Sequence, residues 1–140
     1  MHFAARFGRL ETVKAIIEQI EDKNPKSHRF LTPLHEAANE GFPEVVKYLL
    51  TIMNNTDLNW TFSPFDTNEA FENPLHCAAR KGHLEVVQII LEHLNVVDFD
   101  DFETAVKEST NFAKNYGHED VAVEIQAWKL EGPKRKKLKT

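Results

Sequence analysis

The chain is poor in the residues that most small-domain chemistries need. It has one cysteine, Cys77, and five glycines in 140 residues. A single thiol excludes an internal disulfide and a cysteine-based zinc cluster, and fits a reducing compartment. None of the glycines forms a phosphate-cradling loop and no serine sits in a G-x-S-x-G turn, so the common nucleotide-binding and hydrolase motifs lack their residues. No apolar run approaches the roughly 18 residues of a spanning helix, and MHFAARFGRL at the start lacks the basic-then-apolar pattern of a secretory signal. These absences lead to the expectation of an intracellular protein, cytoplasmic or nuclear, with no membrane span.

What is present reads as an ordinary globular composition, 41% hydrophobic and 28% charged. The net charge of −5 conceals a split. Lys129, Lys134, Arg135, Lys136, Lys137 and Lys139 against Glu131 alone give the last dozen residues +5, which leaves the body near −10. An acidic body disfavours nucleic acid as a ligand except through that tail, because phosphate contacts need clustered Lys and Arg.

Two stretches repeat one another: Thr32 to Leu50, TPLHEAANEGFPEVVKYLL, and Asn73 to Leu91, NPLHCAARKGHLEVVQIIL. Thr32 and Asn73 are helix N-cap types, and Pro33 and Pro74 suit a first helical position. Leu34, Ala37 and Ala38, like Leu75, Ala78 and Ala79, make a narrow apolar stripe at helical spacing that lets a neighbouring helix approach closely. Gly41 and Gly82 suit the left-handed end of that helix. The run Leu84, Val86, Val87, Ile89, Ile90, Leu91 then predicts a second helix buried on two sides.

T-P-L-H-x-A, a glycine turn and a V-V-x-x-L-L run together resemble the ankyrin repeat, whose period is about 33 residues. The resemblance implies an all-α solenoid of helix-turn-helix repeats joined by β-hairpin fingers. We place repeats at about 1–23, 24–58, 73–96 and 108–128, with an extended finger at 59–72 and a basic tail at 129–140. The first repeat lacks its Thr-Pro opening. It is read either as a fragment of a larger adaptor or regulatory protein, or as a natural start with Met1 standing in for leucine. Residues 97–104, VDFDDFET, are expected as a third, acidic finger. The fourth repeat has Thr110, Asn111 and Lys114 for leucine, histidine and alanine, and Glu119 and Glu124 on its second helix. Such polar replacements belong on the outer face of a terminal repeat, and Trp128 is expected to close its apolar seam.

Seven histidines invite a metal or catalytic reading. However, His2, His35, His76 and His83 occupy repeat positions, and neither His35-Glu36 nor His118-Glu119 continues into H-E-x-x-H. The resemblance implies that His35 bonds Thr32, that His76 bonds Asn73, and that such histidines reach the backbone of the next repeat. No catalytic residue, cofactor or metal is expected.

The resemblance implies a non-catalytic protein-interaction module that uses its concave face, and we expect a monomer whose partner is another protein or peptide. On that face lie Phe3, Arg6 and Phe7, then Glu36, Asn39 and Glu40, then Arg80 and Lys81, then Asn115 and Tyr116. An acidic second repeat beside a basic third suits a partner of mixed charge. Trp60, Phe62 and Phe65 of the long finger either pack back on the stack or anchor a partner. Lys134, Arg135, Lys136 and Lys137 are an import signal, an anionic-surface contact or a disordered solubilising tail, and a nuclear regulator whose tail mediates import or nucleic-acid contact is the alternative function. Asn59 and Asn24 fall where some proteins of this kind are hydroxylated.

Overall fold

The computed structural model describes residues 1–21, 31–55, 73–96 and 102–128. Among them are the helices α1 (His2–Arg6), α2 (Leu10–Gln19), α3 (Pro33–Glu40), α4 (Pro43–Asn55), α5 (Pro74–Lys81), α6 (Leu84–Val96) and α7 (Phe102–Asn115). A last helix, α8, covers 119–128, and there is no strand among the described residues. The hairpin fingers expected between repeats fall largely outside those residues.

Local chemistry sets where these helices begin. Thr32 is extended, and its hydroxyl accepts the His35 N–H at 3.3 Å while His35 Nδ1 accepts the Thr32 N–H at 3.2 Å. Asn73 and His76 repeat the arrangement, with the His76 N–H donating to Asn73 Oδ1 at 2.8 Å. Each pair satisfies two orphan groups of a helix start at once. In this, the bonds expected of His35 and His76 are present. By contrast, α1 has no side-chain cap.

Glycine is demanded where the helices end. Gly41 and Gly82 have φ of +81° and +75°, and a Cβ on either would come within 2.5 Å of the imidazole of His83 or His118. The turn and the packing of the following repeat therefore depend on the same missing side chain.

Helices α1, α3, α5 and α7 stack in order as a front row, and α2, α4 and α6 form a back row. The front row closes on buried alanines, Ala5, Ala37, Ala38, Ala78, Ala79 and Ala113, and the back row on branched residues such as Val13, Val46, Leu49, Val87 and Ile90. Small side chains bring the front helices together while larger ones separate the back helices, which bends a stack toward its front. The two-sided burial expected of α6 is found: it packs on α4, and Gln88 donates to Glu124 on α8 at 3.0 Å.

The fourth repeat departs from expectation in two ways. Residues 97–104 were expected as a finger, yet α7 already begins at Phe102, so 102–104 lie in its first turn. The segment Phe102 to Lys107, FETAVK, contains no proline or glycine, includes the good helix formers Glu103, Ala105 and Lys107, and has no Thr-Pro to mark a fresh start at 108. Thr110, expected on an outer face, is buried. It holds the inward leucine position, and the early start of α7 supplies the Val106 carbonyl that accepts its hydroxyl at 2.7 Å. Asn111, Lys114 and Glu119 are exposed, and Trp128 is buried at the end of the seam, both as expected.

Candidate functional site

The exposed positions of α1, α3, α5 and α7 share one face because equivalent residues of successive repeats stand side by side. On it, the acidic and basic patches expected of the second and third repeats join into a chain of contacts that begins one repeat earlier. Arg6 lies 4.0 Å from Glu36 and 3.9 Å from Glu40. Asn39 donates to Glu40 at 3.2 Å and accepts from Arg80 Nη2 at 3.1 Å. The Arg80 guanidinium also lies 5.9 Å from the centre of the Tyr116 ring. Lys81 is exposed beside it. Long pairs such as these, each with at least one partly exposed member, contribute roughly 0–1 kcal/mol each, so they orient the side chains without committing them. Phe3 and Phe7 close the first end of this face, 75% and 52% exposed, with ring centres 4.5 Å apart.

Histidines tie the repeats together beneath this surface. His2 Nε2 donates to the Leu31 carbonyl at 2.7 Å, and His83 Nε2 to the Asn39 carbonyl at 2.9 Å. In the motif histidines His35 and His76, Nδ1 accepts the cap N–H, which leaves the proton on Nε2. For His76 the group that meets it is a side chain: Nε2 donates to Glu108 Oε2 at 3.0 Å. The equivalent of the Leu31 carbonyl in the fourth repeat belongs to Lys107, inside α7, where helical hydrogen bonding employs it.

Two concavities follow. One of about 170 Å³ is lined by Leu31, His35, Glu36, Asn39, Cys77 and Arg80. The other, about 510 Å³, is lined by His76, Glu108, Asn111, Phe112, Asn115 and Tyr116. Phe112 stacks on the His76 ring with centres 4.7 Å apart. Cys77 is buried in the first concavity. On the back row, a cleft between α4 and α6 holds His93, whose imidazole burial pushes below its ordinary value of 6.5. Among the described residues no group of three or more His, Cys, Asp and Glu is placed to hold a metal ion, and no helix is long and apolar enough to cross a membrane.

Of the expected partner-binding residues, Glu36, Asn39, Glu40, Arg80, Lys81, Asn115 and Tyr116 do share this face. Trp60, Phe62 and Phe65 lie outside the described residues, as do Asn24, Asn59 and the tail residues Lys134, Arg135, Lys136 and Lys137. Sequence reasoning missed Glu108, Asn111 and Phe112. Their signal was positional, since Glu108 stands at the cap position, Asn111 at the histidine position and Phe112 at the variable position of the motif.

Residues 1–103 match a family model described as ankyrin repeats, in three copies. Among curated proteins, the chain is similar to protein phosphatase 1 regulatory subunit 27 of human and of mouse, 32% identical over 57 residues in each case. That match covers 41% of this chain and 37% of the relative, so the chain spans well under half the length of the curated relatives it matches.

Proposed function

Because the chain belongs to the ankyrin-repeat family, we propose that it is a non-catalytic protein-interaction module whose concave face receives a partner protein. The observation that carries this reading is the chain of contacts from Arg6 through Glu36, Glu40, Asn39 and Arg80 to Tyr116. It keeps polar and charged groups in register across four repeats with little energy invested in any one contact. A partner that offers complementary charges replaces weak internal pairs with its own and meets a surface already ordered, which lowers the cost of binding. The similarity to a regulatory subunit of a protein phosphatase supports the reading in its general form, since a regulatory subunit works through association with another protein.

Site-specific photo-crosslinking tests it. A photoreactive residue at Lys81 or Asn115 should give discrete crosslinked partner bands in cell extract, and the same residue at Glu85 or Gln126, exposed on the second helices, should not. Equal bands at all four positions, or bands only from the second helices, would overturn it.

A further inference from the structure

We propose that the groove along α7 binds an extended, arginine-bearing segment of a partner protein; this rests on the concave-face reading and specifies its ligand. Among the described residues that line it, the groove of about 510 Å³ has one carboxylate, Glu108, and no lysine or arginine. Glu108 is half exposed and spends Oε2 on His76, while Oε1 has no partner among the described residues. A carboxylate oxygen left open beside an aromatic wall is complementary to a cation with a flat, weakly hydrated head, which describes arginine better than lysine. The protein already makes both halves of this contact with its own arginines, Arg6 against Glu36 and Glu40 and Arg80 over Tyr116.

The two asparagines give the reason for an extended backbone. Asn111 and Asn115 are exposed, four residues apart on one helix, and neither has a hydrogen-bond partner among the described residues. A carboxamide offers an NH2 donor and a carbonyl acceptor side by side, the complement of a peptide group. Four residues of α-helix rise about 6 Å, and peptide groups on one side of an extended chain recur about every 6.6–6.8 Å. A strand lying along α7 thus meets both amides with successive same-side peptide groups. Direction follows from charge: Arg80 stands at the Tyr116 end, so the incoming arginine belongs at the Glu108 end and an apolar or aromatic residue at the other.

The test pans a phage-displayed random decapeptide library on the full chain and measures selected, fluorescein-labelled peptides by anisotropy. We expect an arginine at one fixed position. Its replacement by glutamine, or Glu108→Gln in the protein, should each weaken binding about tenfold, with little further loss when both are present. Asn115→Ala, a solvent-exposed change, should weaken binding several-fold in a protein whose circular dichroism is unchanged, which separates lost contacts from lost fold. Peptides that lack the arginine, or that are indifferent to Glu108→Gln and Asn115→Ala, overturn the assignment. If they respond instead to Glu36→Gln, the concave-face reading stands while the groove assignment falls. Failure to select any peptide also overturns the assignment, and the crosslinks at Lys81 and Asn115 then judge the broader reading alone. If the full chain selects no peptide while a chain ending at Trp128 does, the assignment falls too, because residues 129–140 would then be the occupant.

Discussion

The third and fourth repeats differ at one position of the front row, and most of what distinguishes the candidate site follows from it. Helix α5 starts abruptly at Asn73-Pro74, with His76 folded back on its own cap. Helix α7 runs through the equivalent point, from Phe102 to Asn115. In the third repeat the motif residues therefore build a helix end, whereas in the fourth Glu108 and Ser109 are interior residues. The histidine of the third repeat then finds a carboxylate where the histidine of the first finds a carbonyl. A side chain can be reached by a ligand in a way that a backbone carbonyl between two repeats cannot, and this is how the loss of a motif opens a groove.

The largest expected effect breaks that contrast directly. Ser109→Pro restores the residue that the motif carries at Pro33 and Pro74, yet it should destabilise by about 3 kcal/mol or more, because here a proline interrupts a helix instead of opening one. Chemical denaturation measures it. Next come the glycine turns. Gly82→Ala forces a left-handed residue and drives a Cβ into His118, whereas Gly117, at φ +83°, has nothing within 4 Å of that position. We expect about 2–3 kcal/mol for the first and about 1 for the second. Loss of a cap should rank third: Thr32→Ala should cost about 1–2 kcal/mol, while Thr110→Val, which removes a buried hydroxyl bonded to the Val106 carbonyl but caps nothing, should cost about 0.5–1 kcal/mol.

Smaller effects sharpen the same comparison. Ser109 Oγ is buried without a hydrogen-bond partner among the described residues, so Ser109→Ala should stabilise by roughly 0.5–1 kcal/mol in thermal unfolding. A proline at that position of the motif would have no such hydroxyl to satisfy. On the back row the repeats behave alike, and His93 provides the control. Its folded value lies below 6.5 because burial disfavours the imidazolium. The unfolded chain therefore binds the proton more readily, and stability should fall as pH drops below about 6.5. His93→Gln should flatten that slope without altering the ranking of the front-row variants.

Much of this architecture was legible in the residues. Thr32, Asn73, Gly41, Gly82 and the paired alanines each have a local physical role that residue type alone reveals. The front-row charges Glu36, Glu40 and Arg80 were legible as positions, but their pairing was not, because Arg6 reaches the two glutamates, and Arg80 reaches Asn39, from other repeats across distances in sequence that no local pattern reports. The start of α7 was misplaced for a related reason. Alignment through Gly117 carried over the repeat's boundary, while Phe102 to Lys107 has helix-forming chemistry of its own and nothing to stop it. Glu108, Asn111 and Phe112 were missed because they read as decay of a motif, and only the stack shows that they line one concavity with His76.

Everything specific to the fourth repeat depends on α7 being continuous from Phe102, and amide hydrogen exchange resolved to single residues tests that most directly. A continuous helix gives Lys107, Glu108 and Ser109 N–H groups bonded to carbonyls one turn earlier, so we predict protection comparable with that of Phe112 and Ala113. Rapid exchange at 107–109 with protection beginning only at 112 would mean that the helix starts afresh at the motif position, and would contradict the account of both the His76–Glu108 contact and the groove.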